Sequence, residues 1–372
     1  MATIRFEQVQ KKFGRVEVFN DLTFETQEGE FSFLLGPSGA GKTTILSIIA
    51  GITPVSDGKV YINDKDITKL KPRERDVAIA FESYALYPNR TVMGNMRFPL
   101  DAPLRKKDLS ETEKVQKVHE IARMLQIEEL LERFPRELSG GQRQRVALGR
   151  TLIRRPTFFL LDEPIAHLDA KLRHQMRGEL KRLQQEMGIA TFCASPDQSE
   201  AVAMADRIFL LNKGKIEQIG KPDELYFHPV NEFVALMLGE PKMSIFPVEI
   251  MQKEGAWYVT NDDVLLQAPE GFGAFVKEHK VPKSVDIGLR HTDIEISFES
   301  AAKEDGYQEF RVDFYQVNGE KLIITAIRGA TRIVVEALFS PGMSIEYGNP
   351  IWLKWSSDNF YLFDTISKMS LV

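Results

Sequence analysis

Cysteine is almost absent from this chain: of 372 residues one, Cys193, is a cysteine. That excludes an intramolecular disulfide and fits a reducing compartment. Cys193 itself lies in the apolar run Ala190–Ala194 and reads as core filler. Long hydrophobic runs are missing as well. No stretch approaches the ~18 apolar residues of a membrane span, and the first ten residues (MATIRFEQVQ) lack the apolar core of a signal peptide. Any membrane role is therefore expected to come through a partner. There is no surplus of positive charge: 48 Lys and Arg stand against 53 Asp and Glu, a net charge of −5, which argues against a nucleic-acid footprint. What the chain does have is length, enough for two domains.

Residues Gly36, Pro37, Ser38, Gly39, Ala40, Gly41, Lys42, Thr43 and Thr44 form a complete phosphate-binding loop. Glycines let backbone N–H groups curl around phosphates, Lys42 reaches the β- and γ-phosphates, and the Thr43 hydroxyl offers Mg²⁺ a hard oxygen. The flanks suit the motif. Glu30–Leu35 (EFSFLL) reads as a buried strand and Thr43–Ala50 as the start of a helix, whose N-terminus points at the anion. ATP with Mg²⁺ is the expected ligand.

Two further segments belong to the same chemistry. Thr157–Leu161 (TFFLL) is a continuous apolar run, as in a parallel strand covered on both faces, and it ends in Asp162-Glu163. Open α/β sheets bind ligands at that end of their strands. Asp162 is the expected partner of Mg²⁺ and Glu163 the expected base toward the attacking water. Between the two motifs, Leu138-Ser139-Gly140-Gly141-Gln142 precedes a helical run. Ser139 is a natural N-cap, and two glycines at a helix start leave bare N–H groups, a second anion site.

This order of motifs resembles the ATP-binding-cassette (ABC) transport ATPases over nearly the whole chain. LSGGQ at Leu138–Gln142 resembles the family signature, FFLLDEP at Phe158–Pro164 its acidic strand, and LDAKLR at Leu168–Arg173 the D-loop and its continuation. The resemblance places Phe13 where the family stacks an aromatic ring on adenine; otherwise Phe13 is a surface aromatic after Lys11-Lys12. It also implies a head-to-tail pair of cassettes, with each ATP between one phosphate loop and the partner's signature. Ser139, Gly140, Gly141 and Gln142 would then act in trans. ATP closes such a pair and hydrolysis releases it.

The departures from the family pattern are specific. A Gln is usual after the strand near residue 80; here the run is Phe81-Glu82-Ser83-Tyr84-Ala85-Leu86-Tyr87-Pro88. Glu82 can still bind Mg²⁺ but cannot donate a hydrogen bond unless protonated. The family ends its last core strand with Thr-His-Asp; here Ser195-Pro196-Asp197 stands, and Pro196 has neither side-chain donor nor N–H. Ala166-His167 replaces the usual pair before Leu168-Asp169, which leaves rescue by His167 as an alternative. Lys42, Thr43, Asp162 and Glu163 remain, so ATP and Mg²⁺ are expected to bind while the γ-phosphate and water are poorly positioned. The expectation is the degenerate-site half of a heterodimeric ATPase pair. A homodimer with two slow sites, a non-hydrolysing ATP-binding regulatory subunit, and deliberate ATP-trapping substitutions are the alternatives.

The expected fold is α/β: a P-loop nucleotide-binding cassette at 1–238, with antiparallel β and helical subdomains (the latter about 89–150), followed by a C-terminal all-β, barrel-like domain at 239–372. Val55–Asp64 carries an Asp-Gly turn. Ser110–Leu125 reads as an amphipathic helix with a Ser110–Glu113 capping box and a stripe of Val115, Val118, Ala122 and Leu125. By the resemblance, Tyr84–Pro88 and the helical subdomain form a groove for two membrane-spanning permease subunits, served by a substrate-binding protein, at the cytoplasmic face of the inner membrane. Gly239-Glu240-Pro241 signals a linker. Beyond it come short alternating runs and an Asn318-Gly319 hairpin turn. This stretch resembles the regulatory domain of carbohydrate, polyol and glycerol-phosphate importer ATPases, with Gly288-Leu289-Arg290 as a further echo. A sugar or a polyol such as glycerol is the expected cargo.

Overall fold

The structure, a computed structural model, describes residues 2–81, 83–102, 109–299, 306–340, 342–355 and 360–371. The chain divides into two compact units, Met1–Pro222 and Asp223–Val372.

The first unit runs β1 (Ile4–Phe13), β2 (Val16–Glu25), β3 (Phe31–Leu35), α1 (Lys42–Ile49), β4 (Asp57–Ile62), β5 (Lys65–Asp66) and β6 (Val77–Ala80). It continues through α2 (Val92–Arg97), α3 (Glu111–Met124), α4 (Gly140–Leu152), β7 (Phe158–Asp162), α5 (Ala170–Met187), β8 (Ala190–Ser195), α6 (Gln198–Met204), β9 (Arg207–Asn212) and β10 (Lys215–Gly220). Two sheets result. One is antiparallel, β2-β1-β4-β5; the other is ordered β10-β9-β3-β8-β7-β6, with parallel pairing from β9 through β6. Every residue of β3, β7 and β8 is buried, as their unbroken apolar runs require of strands covered on both faces. Phe24 of β2 joins the sheets: it stacks on Phe6 at 4.6 Å and meets Phe192 and Phe209 at 6.0 and 5.5 Å.

The Asp-Gly pair does not turn the chain. Asp57 and Gly58 open β4, where Gly58 has φ +84° and lies against the Gln8 carbonyl, so a Cβ there would collide. The reversal falls at Asn63-Asp64, between the Ile62–Lys65 pair, with Asn63 in the left-handed region that Asn tolerates. Helix α3 has the expected capping box. Its buried stripe is Val118, Ile121, Ala122 and Leu125, with Val115 only half-buried.

The second unit runs α7 (Pro222–Phe227, beginning at the division), α8 (Glu232–Met237), β11 (Ser244–Lys253), β12 (Ala256–Thr260), β13 (Leu265–Gln267), α9 (Phe272–Glu278), β14 (Ser284–Leu289), β15 (Ile294–Ser297), β16 (Gln308–Asn318), β17 (Lys321–Arg328), β18 (Thr331–Leu338), β19 (Pro350–Trp355) and β20 (Tyr361–Phe363). Two five-stranded sheets, β13-β12-β11-β14-β20 and β15-β19-β16-β17-β18, share one apolar core. Strand β11 was hidden by Pro247. Proline is tolerated there because β11 pairs with β14 over Ser244–Glu249 and with β12 only from Glu249 onward, leaving Pro247 at a local edge.

The division precedes Leu238 because α7 and α8 are held by the β-rich unit. Arg290, 1% exposed, donates to the Leu238 carbonyl at 2.7 Å and the Tyr226 carbonyl at 2.6 Å, with its guanidinium 3.6 Å from the Tyr226 ring centre. Ala235 of α8 packs with Met243 and Phe363. Arg290→Ala is expected to remove about 3 kcal/mol of stability by orphaning buried carbonyls and a ring. Chemical denaturation followed by tryptophan fluorescence reads this directly, since Trp257, Trp352 and Trp355 all lie in this unit. A loss below about 1 kcal/mol would contradict the role.

Candidate nucleotide-binding site

The parallel sheet brings three chain reversals to one edge. Leu35 of β3 is in register with Ser195 of β8, and Asp162 of β7 with Ala194. The segments that follow, from Gly36, Glu163 and Pro196, therefore leave the same C-terminal edge, where such sheets bind ligands.

The phosphate loop is shaped by glycine. Gly39 and Gly41 have φ +81° and +109°, and a Cβ on Gly41 would lie 2.6 Å from the Phe19 ring. Lys42 is 5% exposed, and its ammonium donates to the Gly36 and Pro37 carbonyls at 2.9 and 3.1 Å. Burial pulls the ammonium below its usual value, while the Glu163 and Asp162 carboxylates pull the other way. The Thr43 hydroxyl donates to Asp162 Oδ1 at 3.1 Å, tying α1 to β7. Glu163 takes φ +46°, and its N–H donates to the Ala194 carbonyl at 2.8 Å. A non-glycine residue in that region is held there by its surroundings. Among the described residues no three His, Cys, Asp or Glu side chains form a metal cage. The pair of Thr43 hydroxyl and buried Asp162 carboxylate has the hard-oxygen chemistry of a Mg²⁺ site that phosphate and water complete.

Helix α4 begins at the signature. Ser139 caps it: its Oγ accepts from the Gln142 N–H at 3.3 Å, and its own N–H donates to Gln142 Oε1 at 2.9 Å. Gly140 borders open space, and Gly141 packs on Leu172 too closely for a Cβ. Among the described residues no hydrogen bond joins Ser139–Gln142 to the phosphate loop of the same chain.

A family model described as "ABC transporter" matches residues 19–166. The "Trehalose/maltose import ATP-binding protein MalK" of Thermococcus litoralis is 44% identical over 300 residues, 79% of this chain and 79% of that protein. This chain belongs to the ABC transporter ATP-binding proteins. The "sn-glycerol-3-phosphate import ATP-binding protein UgpC" of Chromobacterium violaceum is 36% identical across 98% of this chain and 95% of its own. Among solved structures, the dimeric post-hydrolysis cassette MJ0796, bound to ADP and Pi, superposes with a TM-score of 0.53 at 30% identity, covering 59% of this chain and 98% of that one.

In this ABC protein Pro196 is exposed at the end of β8, and Asp197 caps α6. Glu82 lies outside the described residues. His167 is exposed in the turn after β7. Phe13, 51% exposed, ends β1. The loop beyond Glu82 is pinned by Arg150 of α4, which donates to the Ala85 and Tyr84 carbonyls at 2.6 and 2.8 Å. Asn95, fully buried, accepts from the Tyr87 N–H at 2.8 Å. A cavity of about 750 Å³ opens beside it, lined by Ile52, Val77, Ile79, Tyr87, Phe98 and Arg150 among others. Of Tyr84–Pro88, Tyr87 is the residue that lines it.

Sequence reasoning missed the support behind Pro196. Arg177 of α5 donates to Asp197 Oδ2 at 3.4 Å and to the Ser199 hydroxyl at 3.0 Å, and Arg173 lies 3.7 Å from the same carboxylate. Glu200, 2% exposed, sits below. The spacing Asp197-x-x-Glu200 is the signal, but it resembles a capping box with an exposed acid. Burial pushes the Glu200 carboxyl up to about 7; the Ser195 hydrogen bond and the Arg177 and Arg173 charges pull it down, and Asp197 adds to the rise. A carboxyl raised in the native state binds more protons than its unfolded counterpart between about pH 4.5 and 7. Its contribution is therefore fully present below that window and lost as pH rises through it. Glu200→Gln is expected to flatten this decline and to stabilise the protein at pH 8 by about 2–3 kcal/mol. Urea titrations of both proteins at pH 5 and 8 would measure it, and equal stabilities at pH 8 would contradict it.

Proposed function

We propose that this chain is the ATP-binding subunit of an importer for a small carbohydrate or polyol, of the glycerol, sugar or glycerol-phosphate class, and that its own ATP half-site is the slow one of a mixed pair. Relatives named for trehalose, maltose and glycerol-3-phosphate import support the cargo class. Gly36–Thr44 would cradle the triphosphate, with Phe13 stacked on adenine. Thr43 and Asp162, with Glu82, would hold Mg²⁺, which supplies charge neutralisation at the phosphates when bound. Glu163 would orient water and accept its proton.

The partner assignments follow from the same residues. A second, non-identical cassette would use the capped, open N-terminus at Ser139–Gln142 on its own ATP. Two permease subunits would dock at Tyr84–Pro88 and the helical subdomain, at the cytoplasmic face of the membrane, with a substrate-binding protein acting through them. No helix among the described residues is long and apolar enough to cross a membrane.

The observation that carries the slow-site reading is Pro196, a side chain without a donor at the edge shared with Asp162 and Glu163. Losing one contact that acts in the transition state costs roughly 10²–10³ in rate. The purified full chain is expected to hydrolyse ATP very slowly, and a Pro196→His, Glu82→Gln double variant to gain about 10²-fold. Brisk wild-type turnover would overturn the slow-site reading. A variant as slow as the wild type, with ATP still bound, would favour an ATP-binding regulatory subunit instead.

A further inference from the structure

Lys11 is an unusual lysine. It is 6% exposed, yet among the described residues no carboxylate pairs with it. Its neighbour Lys12 is the one engaged in an ion pair, with Glu17 at 2.8 Å. The Lys11 ammonium has two partners. It donates to the Pro54 carbonyl at 2.7 Å, and it lies 4.4 Å from the centre of the Phe13 ring. Lysine heads rarely stay buried without a counter-charge, because desolvation then goes unrepaid. A methionine of similar length would fill the same space without that penalty. Packing alone therefore does not explain a cation at this position.

The two contacts tie the Phe13 ring to the segment that follows α1. Phe13 is the exposed aromatic at the end of β1. Pro54 lies in the segment that follows α1, the helix begun by Lys42 and Thr43. One ammonium thus spans from the ring to the chain leaving the phosphate helix. A cation on an aromatic face attracts the ring electrostatically and holds its orientation. A ring held from one side presents the other side preformed, so a base stacking there orders less on binding.

We propose that Lys11 is a positioning residue for the purine: it acts through Phe13, clamping the ring against the segment that follows α1. The inference rests on the reading that Phe13 stacks on adenine. Its chemistry is specific to the base half of the ligand, because the hydrogen bonds of Lys42 and Thr43 in the phosphate loop do not involve Lys11.

The test is isothermal titration of the full-length protein with ATP, GTP and inorganic tripolyphosphate, each with Mg²⁺, alongside thermal melting. Phe13→Ala comes first: a weaker ATP complex with unchanged tripolyphosphate binding upholds the stacking reading, and unchanged ATP binding overturns that reading and the inference with it. With stacking upheld, Lys11→Met is expected to weaken ATP about three- to tenfold, and GTP by a similar factor, because stacking does not distinguish the two purines. Tripolyphosphate affinity and Tm should hold or Tm should rise. Lys11→Arg, which keeps a cation and donors, should restore most of the ATP affinity. Equal weakening of ATP and tripolyphosphate by Lys11→Met would mean that it shapes the phosphate loop instead. Unchanged ATP affinity in Lys11→Met beside a weakened Phe13→Ala would show that the ring needs no clamp. Either result overturns the proposal.

Discussion

A buried cation is the constraint on which the first unit depends. Lys42 is almost wholly removed from water, and among the described residues its ammonium donates to two carbonyls and feels the Glu163 and Asp162 carboxylates. Such a charge is poorly solvated, and burial already draws its proton affinity down. A triphosphate relieves that deficit, which makes the loop a site and not a turn. The remaining geometry keeps the deficit in place. The positive φ values at Gly39 and Gly41 bend the backbone, the Thr43–Asp162 bond anchors α1 to β7, and the Glu163–Ala194 bond fixes the strained residue beside them.

Around this centre, the sheet edge is connected by side chains that reach backward from α5. Arg173 donates to the Leu168 carbonyl in the D-loop at 3.1 Å and also faces Asp197 beside Pro196. Arg177 adds a second contact to Asp197 and one to Ser199. Arg173 is thus the side chain that faces both the D-loop and the end of β8. At 3.7 and 3.4 Å its charge and that of Arg177 hold Asp197 by longer contacts than close charge-assisted hydrogen bonds.

How much of this was legible in the sequence follows from where the information is local. The phosphate loop, the acidic end of β7 and the Ser139 cap are contiguous strings whose chemistry names itself. The all-buried strands announced themselves as apolar runs, and the capping box of α3 by two residues three apart. What escaped depends on distant partners. Gly58 looks like a turn glycine, but it is a close approach to the Gln8 carbonyl, 50 positions away in sequence. Pro247 looks like a strand breaker, but only one neighbour strand is present there. Arg290 stands out in the sequence as part of a family echo, but its burial shows only when Tyr226 and Leu238 fold against it. Glu200 and Lys11 carry no local sign that they are buried. Sequence spacing reports chemistry along the chain; it reports burial only where a period repeats.

The end of β8 shows how a proline fits at this edge without disturbing its shape. A proline removes a backbone N–H and demands a fixed φ. At Pro196 neither demand disturbs the fold, because the next N–H, that of Asp197, donates back across it to the Ser195 hydroxyl at 3.1 Å. Asp197 then caps α6 through the Ser199 N–H at 2.8 Å and is itself held by Arg177 and Arg173. The turn is thus fixed on both sides by groups other than the side chain at 196. Residue 196 is exposed, and the hydrogen bonds and ion pairs that hold this turn run through Ser195, Asp197, Arg173 and Arg177 and not through its side chain. The shape of the turn therefore places little demand on the chemistry of the side chain at 196.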